Sequence, residues 1–377
     1  MTAFDMSTFN ISAEDKKRLD DLYAMFHERG KRHMGYPGNL LYDYRDLYRF
    51  LAFTINNVGD PFVDGQYDIH THPFEREVIE FFADLFHAPK ESYWGYITNG
   101  GTEGNVYGLY LAREALPESV VYFSDNAHYG LLKAARFMQF PMSVIPSQPN
   151  GEMDYEELEE ALRRDSRPPI IVATVGTTMR GAIDQIEKIV AALQRQNITK
   201  FYIHCDAALL GMVLPFLDDA PIFDFRLPIS SLSVSGHKMI GSPIPCGVVI
   251  ARLENVERIQ KHIELIGAPD TTLSGSRNGH TVLFLWYAMR RYGHAGFKAM
   301  IESCLDVTRY ALRRFAEISW EAHAGDFSVI ILIKRPSEKI VKKWQLAIEG
   351  ENAHVVIMPN VTKEAIDALI ADVSAEA

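Results

Sequence analysis

With 377 residues, 47% hydrophobic and 23% charged, the chain can bury a large core and divide into a main domain and a smaller companion. Its 38 Lys and Arg against 49 Asp and Glu leave a formal charge of -11 with no basic run, which argues against a nucleic-acid partner or an anionic membrane surface. Cys205, Cys246 and Cys304 show no CxxC or close pairing, so neither a disulfide framework nor a zinc site is suggested; with no basic-then-apolar leader at the start, a reducing, cytoplasmic location is expected.

In chain order, Ser12 and the charged, periodic stretch to about Arg32 predict an amphipathic helix with a serine N-cap, ending before the turn signal Gly35-Tyr36-Pro37-Gly38. Residues 1–60 read as an arm. His70-Thr71-His72 has no third ligand or acidic partner at suitable spacing, so these read as loop histidines and no metal is expected. From Phe74, a helical period sets Phe74, Val78, Phe81, Phe82 and Leu85 on one face that should pack on a core. Seven short apolar runs follow, at 94–98, 120–123, 143–145, 170–175, 201–204, 231–234 and 247–251. Helical patterns lie between them at 104–116, 129–139, 155–164 and 185–196. This alternation predicts an α/β fold, a mostly parallel sheet covered by helices on both faces, over residues 61–269. Residues 270–377 form the expected small domain, with helices at 279–292 and 296–318 and then a strand-helix-strand-helix tail. Its apolar runs, such as 282–289 and 328–333, are too short to cross a bilayer.

Three constellations carry chemistry. In Thr98-Asn99-Gly100-Gly101-Thr102-Glu103-Gly104-Asn105 a strand turns into a helix, where backbone amides and the helix dipole favour a phosphate. A structural glycine turn reads equally well, and Asp125 some 20 residues on leaves a dinucleotide site open, against the Gly-Gly-x-x-Gly spacing. In His204-Cys205-Asp206-Ala207-Ala208 a carboxylate ends a buried strand and needs a partner. A protonated ring nitrogen of a cofactor would supply one, and Ala208, on the same side, is small enough for a flat ring to lie over it. Capping of residues 209–211 by Asp206 is the plainer alternative. In the stretch from Ser233 to Pro243, Lys238 sits among apolar and small residues, where a desolvated amine is nucleophilic toward an aldehyde; Ser235 and His237 could donate to a phosphate. A lone lysine is usually a solvated surface group, so this reading depends on its neighbours. His128 opens a helix at the same sheet end, where it could stack on a planar cofactor and move protons, or merely fill a polar pocket.

Together these residues resemble the group II pyridoxal-phosphate decarboxylases, of the aspartate-aminotransferase fold type (fold type I). The resemblance runs through Gly-Tyr-Pro at 35–37, Ile-Asn-Asn at 55–57, the stretch 94–105, Gly-Thr-Thr at 176–178, Asp-Ala-Ala-Leu at 206–209, the stretch 234–247 and Gly-Ser-Arg-Asn-Gly-His at 275–280. It implies a seven-stranded sheet with a small C-terminal α+β domain. It also implies pyridoxal 5'-phosphate held by Lys238 as a Schiff base, with Asp206 on the pyridinium, His128 stacked on the ring, and Gly101, Thr102, Ser235 and His237 on the phosphate. The implied reaction takes an L-amino acid to its amine and carbon dioxide, in a homodimer whose sites lie at the subunit boundary. Within the family, the Lys238 segment, 176–184 and 214–220 are most similar to bacterial histidine decarboxylases, whereas 55–62 is similar to plant serine decarboxylases. Leu265 stands in a loop expected to cover the site, where relatives often carry a tyrosine. A transaminase or another pyridoxal lyase would share Lys238 and Asp206, and a nucleotide-binding module would need neither.

Overall fold

The computed structural model describes residues 10–376. Helix α1 (Ala13–Gly30) starts at Ser12, whose Oγ accepts from the Asp15 N–H at 3.0 Å, with Glu14 and Asp15 favourable in its first turn. None of its residues is buried, and Leu19, Leu22, Tyr23 and Phe26 form an exposed apolar row along one face. Helix α2 (His72–Leu85) buries Val78, Ile79 and Phe82. Phe74 departs from expectation: it is 36% exposed and meets Trp286 edge to face at the helix flank instead of entering the core.

The central unit comprises β1 (Tyr93–Thr98), α3 (Gly101–Ala115), β2 (Val120–Ser124), α4 (Tyr129–Phe137), β3 (Met142–Ile145), α5 (Tyr155–Arg164), β4 (Pro169–Thr174), α6 (Ile186–Arg195), β5 (Tyr202–Asp206), β6 (Ser231–Ser235), β7 (Gly247–Arg252) and the short α7 (Leu253–Val256). The seven expected strands form one sheet in the order β1-β7-β6-β5-β4-β2-β3. Pairing is parallel from β6 to β3, and β7 runs antiparallel to both β6 and β1. Alternate residues feed opposite faces: Ile170, Val172 and Tyr202 pack toward α3, while Ile171, Ala173, Ile203 and Cys205 pack toward the other helical layer. Because both faces are covered, β2, β4 and β7 read as nearly continuous apolar runs, while β5 and β6 turn His204, Ser231 and Ser233 toward α3. Strands β1, β2, β4, β5 and β6 all end at the same edge, where open α/β sheets bind ligands.

Beyond the sheet lie a hairpin of β8 (Lys261–Ile263) and β9 (Ala268–Asp270), then α8 (Gly279–Glu317), β10 (Ala322–His323), β11 (Ile330–Lys334), α9 (Glu338–Trp344), β12 (Ala347–Glu349), β13 (Asn352–Val356) and α10 (Lys363–Ser374). The two helices expected from 279 to 318 are one element broken at Gly293, whose backbone (φ 53°, ψ -169°) is not helical. The expected two-stranded tail is a four-stranded antiparallel sheet, β10-β11-β13-β12, in a small C-terminal α+β domain. Strands β8, β9, β10 and β12 span three residues or fewer, too short for a period-2 signal to register.

The motifs at 55–57 and 275–280 meet in a buried knot. Glu75 pairs with Arg277, accepts from the Ile97 N–H at 2.9 Å and from Asn57 Nδ2 at 2.6 Å, and Arg277 also donates to the Gly59 carbonyl. Partners on both Glu75 oxygens and on both terminal nitrogens of Arg277 make an interior ion pair tolerable, although Arg277 Nε has none. Among the described residues, no helix is long and apolar enough to cross a membrane.

Candidate functional site

The C-terminal strand edge gathers the residues singled out in the sequence. After β1 the chain turns at Gly100 (φ 146°), which starts α3 with no side-chain cap, so the first amides of the helix have no side-chain acceptor. Gly101 faces Ser235 and Ala208: a Cβ built on it would sit 2.7 Å from Ser235 Oγ and 3.5 Å from Ala208 Cβ. Only glycine lets the turn, the end of β6 and Ala208, two residues past β5, converge in this way. Across from it, His237 places Cε1 4.0 Å from where a Cβ of Gly100 would be, and its Nδ1 lies 2.9 Å from the Cys246 carbonyl. Thr102, on the first turn of α3, lies beside Gly130 and His128.

His128 is the N-cap of α4, and its Nδ1 accepts from the Gly130 N–H at 3.1 Å, which leaves the proton on Nε2. Burial pushes this imidazole below its ordinary range, with Asp206 opposing the shift and Lys238 adding to it, so the three groups share one electrostatic neighbourhood. Lys238 follows β6 in a pinned loop: Asn39 donates through Nδ2 to the Met239 carbonyl at 3.0 Å and through its N–H to the Lys238 carbonyl at 3.4 Å. Burial pushes the Lys238 amine below the usual lysine range, and the Asp206 carboxylate partly restores it. Such an amine is more often neutral and nucleophilic.

Asp206, the last residue of β5, is buried and accepts from Asn105 Nδ2 at 2.7 Å through Oδ2 and from the Ala208 N–H at 3.2 Å through Oδ1. The plainer sequence alternative, Asp206 as a cap for residues 209–211, is not realised: the short helix there has no side-chain cap, and Asp206 reaches no further than the Ala208 N–H. The carboxylate faces α3 and the site. Asp125, the acid of the dinucleotide alternative, is engaged by Ser147.

Several participants were not singled out in the sequence. Asn105 is buried one turn into α3, His204 donates through Nε2 to Asn105 Oδ1 and places Nδ1 against Ser231 Oγ, Ser233 donates to Asn105 Oδ1 at 2.6 Å, and Asn39 holds the lysine loop. The signal for His204 was available: it lies two residues before Asp206 on a strand and therefore on the same face. Asn39, some 200 residues from Lys238, left no local signal. His72 is buried with neither ring nitrogen partnered, and among the described residues no group of three or more His, Cys, Asp or Glu is arranged to hold a metal.

Burial pushes His204 down to about 4, with Asp206 opposing. Its folded value lies below the ordinary 6.5, so its stabilising contribution is present above that pH and is lost as pH falls through about 4. In that window the unfolded chain takes up a proton that the folded chain refuses. The expected loss is about 3 kcal/mol from this residue. His204→Gln, which has no proton to gain, should lose that much less between pH 6.5 and 4 in urea unfolding; parallel pH profiles for the two proteins would refute this.

The assembled groups suit an anion at the Gly101, Ser235 and His237 end, a flat ring over Ala208 and beside His128, a protonated ring nitrogen at Asp206 and an aldehyde at Lys238. Comparison with known proteins gives the same chemistry. A family model, "Pyridoxal-dependent decarboxylase conserved domain", matches residues 51–320. A histidine decarboxylase of Morganella morganii is 44% identical over 370 residues, 97% of this chain and 98% of that protein. Serine decarboxylase 3 of Oryza sativa subsp. japonica is 43% identical over 346 residues, 91% of this chain and 78% of that protein. The crystal structure of L-methionine decarboxylase from Streptomyces sp.590 superposes with a TM-score of 0.88 at 25% identity, covering 100% of this chain and 98% of the other.

Proposed function

This chain belongs to the pyridoxal-dependent decarboxylase family and is an amino-acid decarboxylase that uses pyridoxal phosphate, and from that premise we propose that its substrate is L-histidine, released as histamine and carbon dioxide. The observation that carries the choice is the extent of the match. Likeness to the Morganella enzyme runs over nearly the whole of both proteins, whereas more than a fifth of the Oryza enzyme lies outside the alignment. L-serine, giving ethanolamine, is the second reading, favoured by the nearly equal identity of the Oryza protein, 43% against 44%, and by residues 55–62. Carbon dioxide and amine release from a panel of L-amino acids tests the choice. A kcat/KM for histidine at least about tenfold above every other substrate is expected; a preference for serine would transfer the assignment.

Pyridoxal phosphate supplies an aldehyde that condenses with amines and a protonated ring that takes up the electron pair left when carbon dioxide departs. Lys238 would be the amine that holds the cofactor's aldehyde. Gly101 and Thr102 offer amides, and Ser235 and His237 side-chain donors, to the phosphate. Asp206 holds the proton at the ring nitrogen, and Ala208 leaves room for the ring. His128, with its proton on Nε2, would lie beside the ring and could move a proton at the substrate carbon. Burial lowers the basicity of Lys238 and so favours its neutral, nucleophilic form.

The chain also acts as a homodimer in this reading, supported by the exposed row Leu19, Leu22, Tyr23 and Phe26 on a helix that buries nothing of its own. Sedimentation should give a dimer at micromolar concentration, and Tyr23→Glu with Phe26→Glu should weaken it; a wild-type monomer would overturn the assignment. A cytoplasmic location accords with Cys205, Cys246 and Cys304, all buried as free thiols.

A further inference from the structure

Glycine recurs along one row of α3. Gly101 borders the site, but Gly104 and Gly108 lie deeper, and a Cβ on each would meet a polar side chain of the sheet: Ser233 Cβ at 2.6 Å for Gly104 and His204 Nδ1 at 2.3 Å for Gly108. The helix is therefore pressed onto a buried polar layer made by Tyr202, His204, Ser231 and Ser233, with Asn105 reaching into it from α3. An apolar layer would be the ordinary filling between a helix and a parallel sheet.

The protons in this layer have one consistent arrangement. Asp206 as a carboxylate can only accept, so the Asn105 amide must turn Nδ2 to it, at 2.7 Å. Asn105 Oδ1 then accepts from Ser233 Oγ at 2.6 Å and from His204 Nε2 at 3.0 Å. With its proton on Nε2, His204 accepts at Nδ1 from Ser231 Oγ at 2.7 Å, and Ser231 Oγ accepts from the Tyr202 hydroxyl at 2.9 Å. Every donor points toward Asp206. We propose that His204 is a positioning residue for Asp206, acting through Asn105 as the central link of a one-way hydrogen-bond chain that begins at Tyr202. With two donors on its oxygen, the Asn105 amide cannot turn over, and the carboxylate stays aimed at the edge of the site. Gly108 is the residue that gives the imidazole its place. Such chains strengthen each member and fix one geometry.

The inference rests on the assignment of Asp206 to the cofactor's ring nitrogen, and the experiment separates the two. Apo-protein is titrated with pyridoxal phosphate, and the visible absorbance of the bound cofactor is followed against pH, for His204→Leu, His204→Gln, Ser231→Ala and Asp206→Ala. His204→Leu removes the donor to Asn105. It should weaken cofactor binding about tenfold, move the absorbance midpoint by about one pH unit and lower kcat, with the KM for the amino acid changed less than about twofold. Gln can accept from Ser231 and donate to Asn105, so His204→Gln should recover most of each effect. A folded His204→Leu protein with wild-type affinity and midpoint, or equal impairment in both His204 variants, overturns the proposal. If His204→Leu does not fold, Ser231→Ala carries the test: a smaller midpoint shift in the same direction as Asp206→Ala is expected, and an unchanged midpoint refutes the chain. Normal cofactor binding and turnover in Asp206→Ala would instead refute the assignment of Asp206 itself.

Discussion

Lys238→Ala is expected to lower turnover of every substrate by at least about 10^3-fold, as removal of a nucleophile does when no neighbour can replace it. The cofactor should still bind through the groups around Gly101, Ser235 and His237, but borohydride treatment should leave it removable by dialysis, whereas in the wild-type protein it becomes covalently fixed. Lys238→Arg should be as inactive, because a guanidinium keeps its charge and cannot serve as a neutral amine. The distinction matters because the wild-type amine is held below the usual lysine range by burial, with the Asp206 carboxylate acting against the shift. Unimpaired turnover in Lys238→Ala would remove the central assignment.

Asp206→Asn should lower kcat by about 10^3-fold, the scale reached when one preorganised electrostatic partner is taken from a buried site. The substitution keeps size and shape but removes the negative charge that would keep a ring nitrogen protonated. It also sets one amide against another, since Asn105 Nδ2 now donates to Asp206 Oδ2 at 2.7 Å. Cofactor affinity should fall with kcat, while the KM for the amino acid should move little, because Asp206 is assigned to the cofactor and not to the substrate. A fall in kcat/KM that came entirely from KM would contradict that division. Asp206→Glu restores the charge at the wrong distance and should recover only a small part of the activity.

The two residues differ in how visible they are from sequence. Lys238 was legible because glycine and apolar neighbours surround it at a strand end and because Asp206 lies one strand earlier, so two weak signals support each other. Asp206 was legible as a charge ending a buried strand, where a carboxylate is costly without a partner, but taken alone it read more plainly as a cap until Lys238 was set beside it. The short apolar runs alternating with helical patterns also foretold the large sheet, since strands covered on both faces are mostly apolar. Phe74 misled because a helical period assigns a residue to a face but cannot say where the core ends. The short strands β8, β9, β10 and β12 escaped because a period-2 pattern needs more residues than they have.

By itself, then, the sequence determined the fold class, through periodicity, and the cofactor, through its resemblance to the pyridoxal-phosphate decarboxylases, while turn glycines and a charge where a buried strand ends marked Lys238 and Asp206 as candidates for the reacting groups. Only the tertiary structure decided what stands behind those groups. Asn105 and Asp206 are 101 residues apart and Asn39 and Met239 are 200 apart, yet each pair shares a hydrogen bond. Which amide turns toward which carboxylate, and which glycine makes room for His204, follow from how α3 settles on β5 and β6. That packing is a property of the assembled layers and is written in no single stretch of the chain.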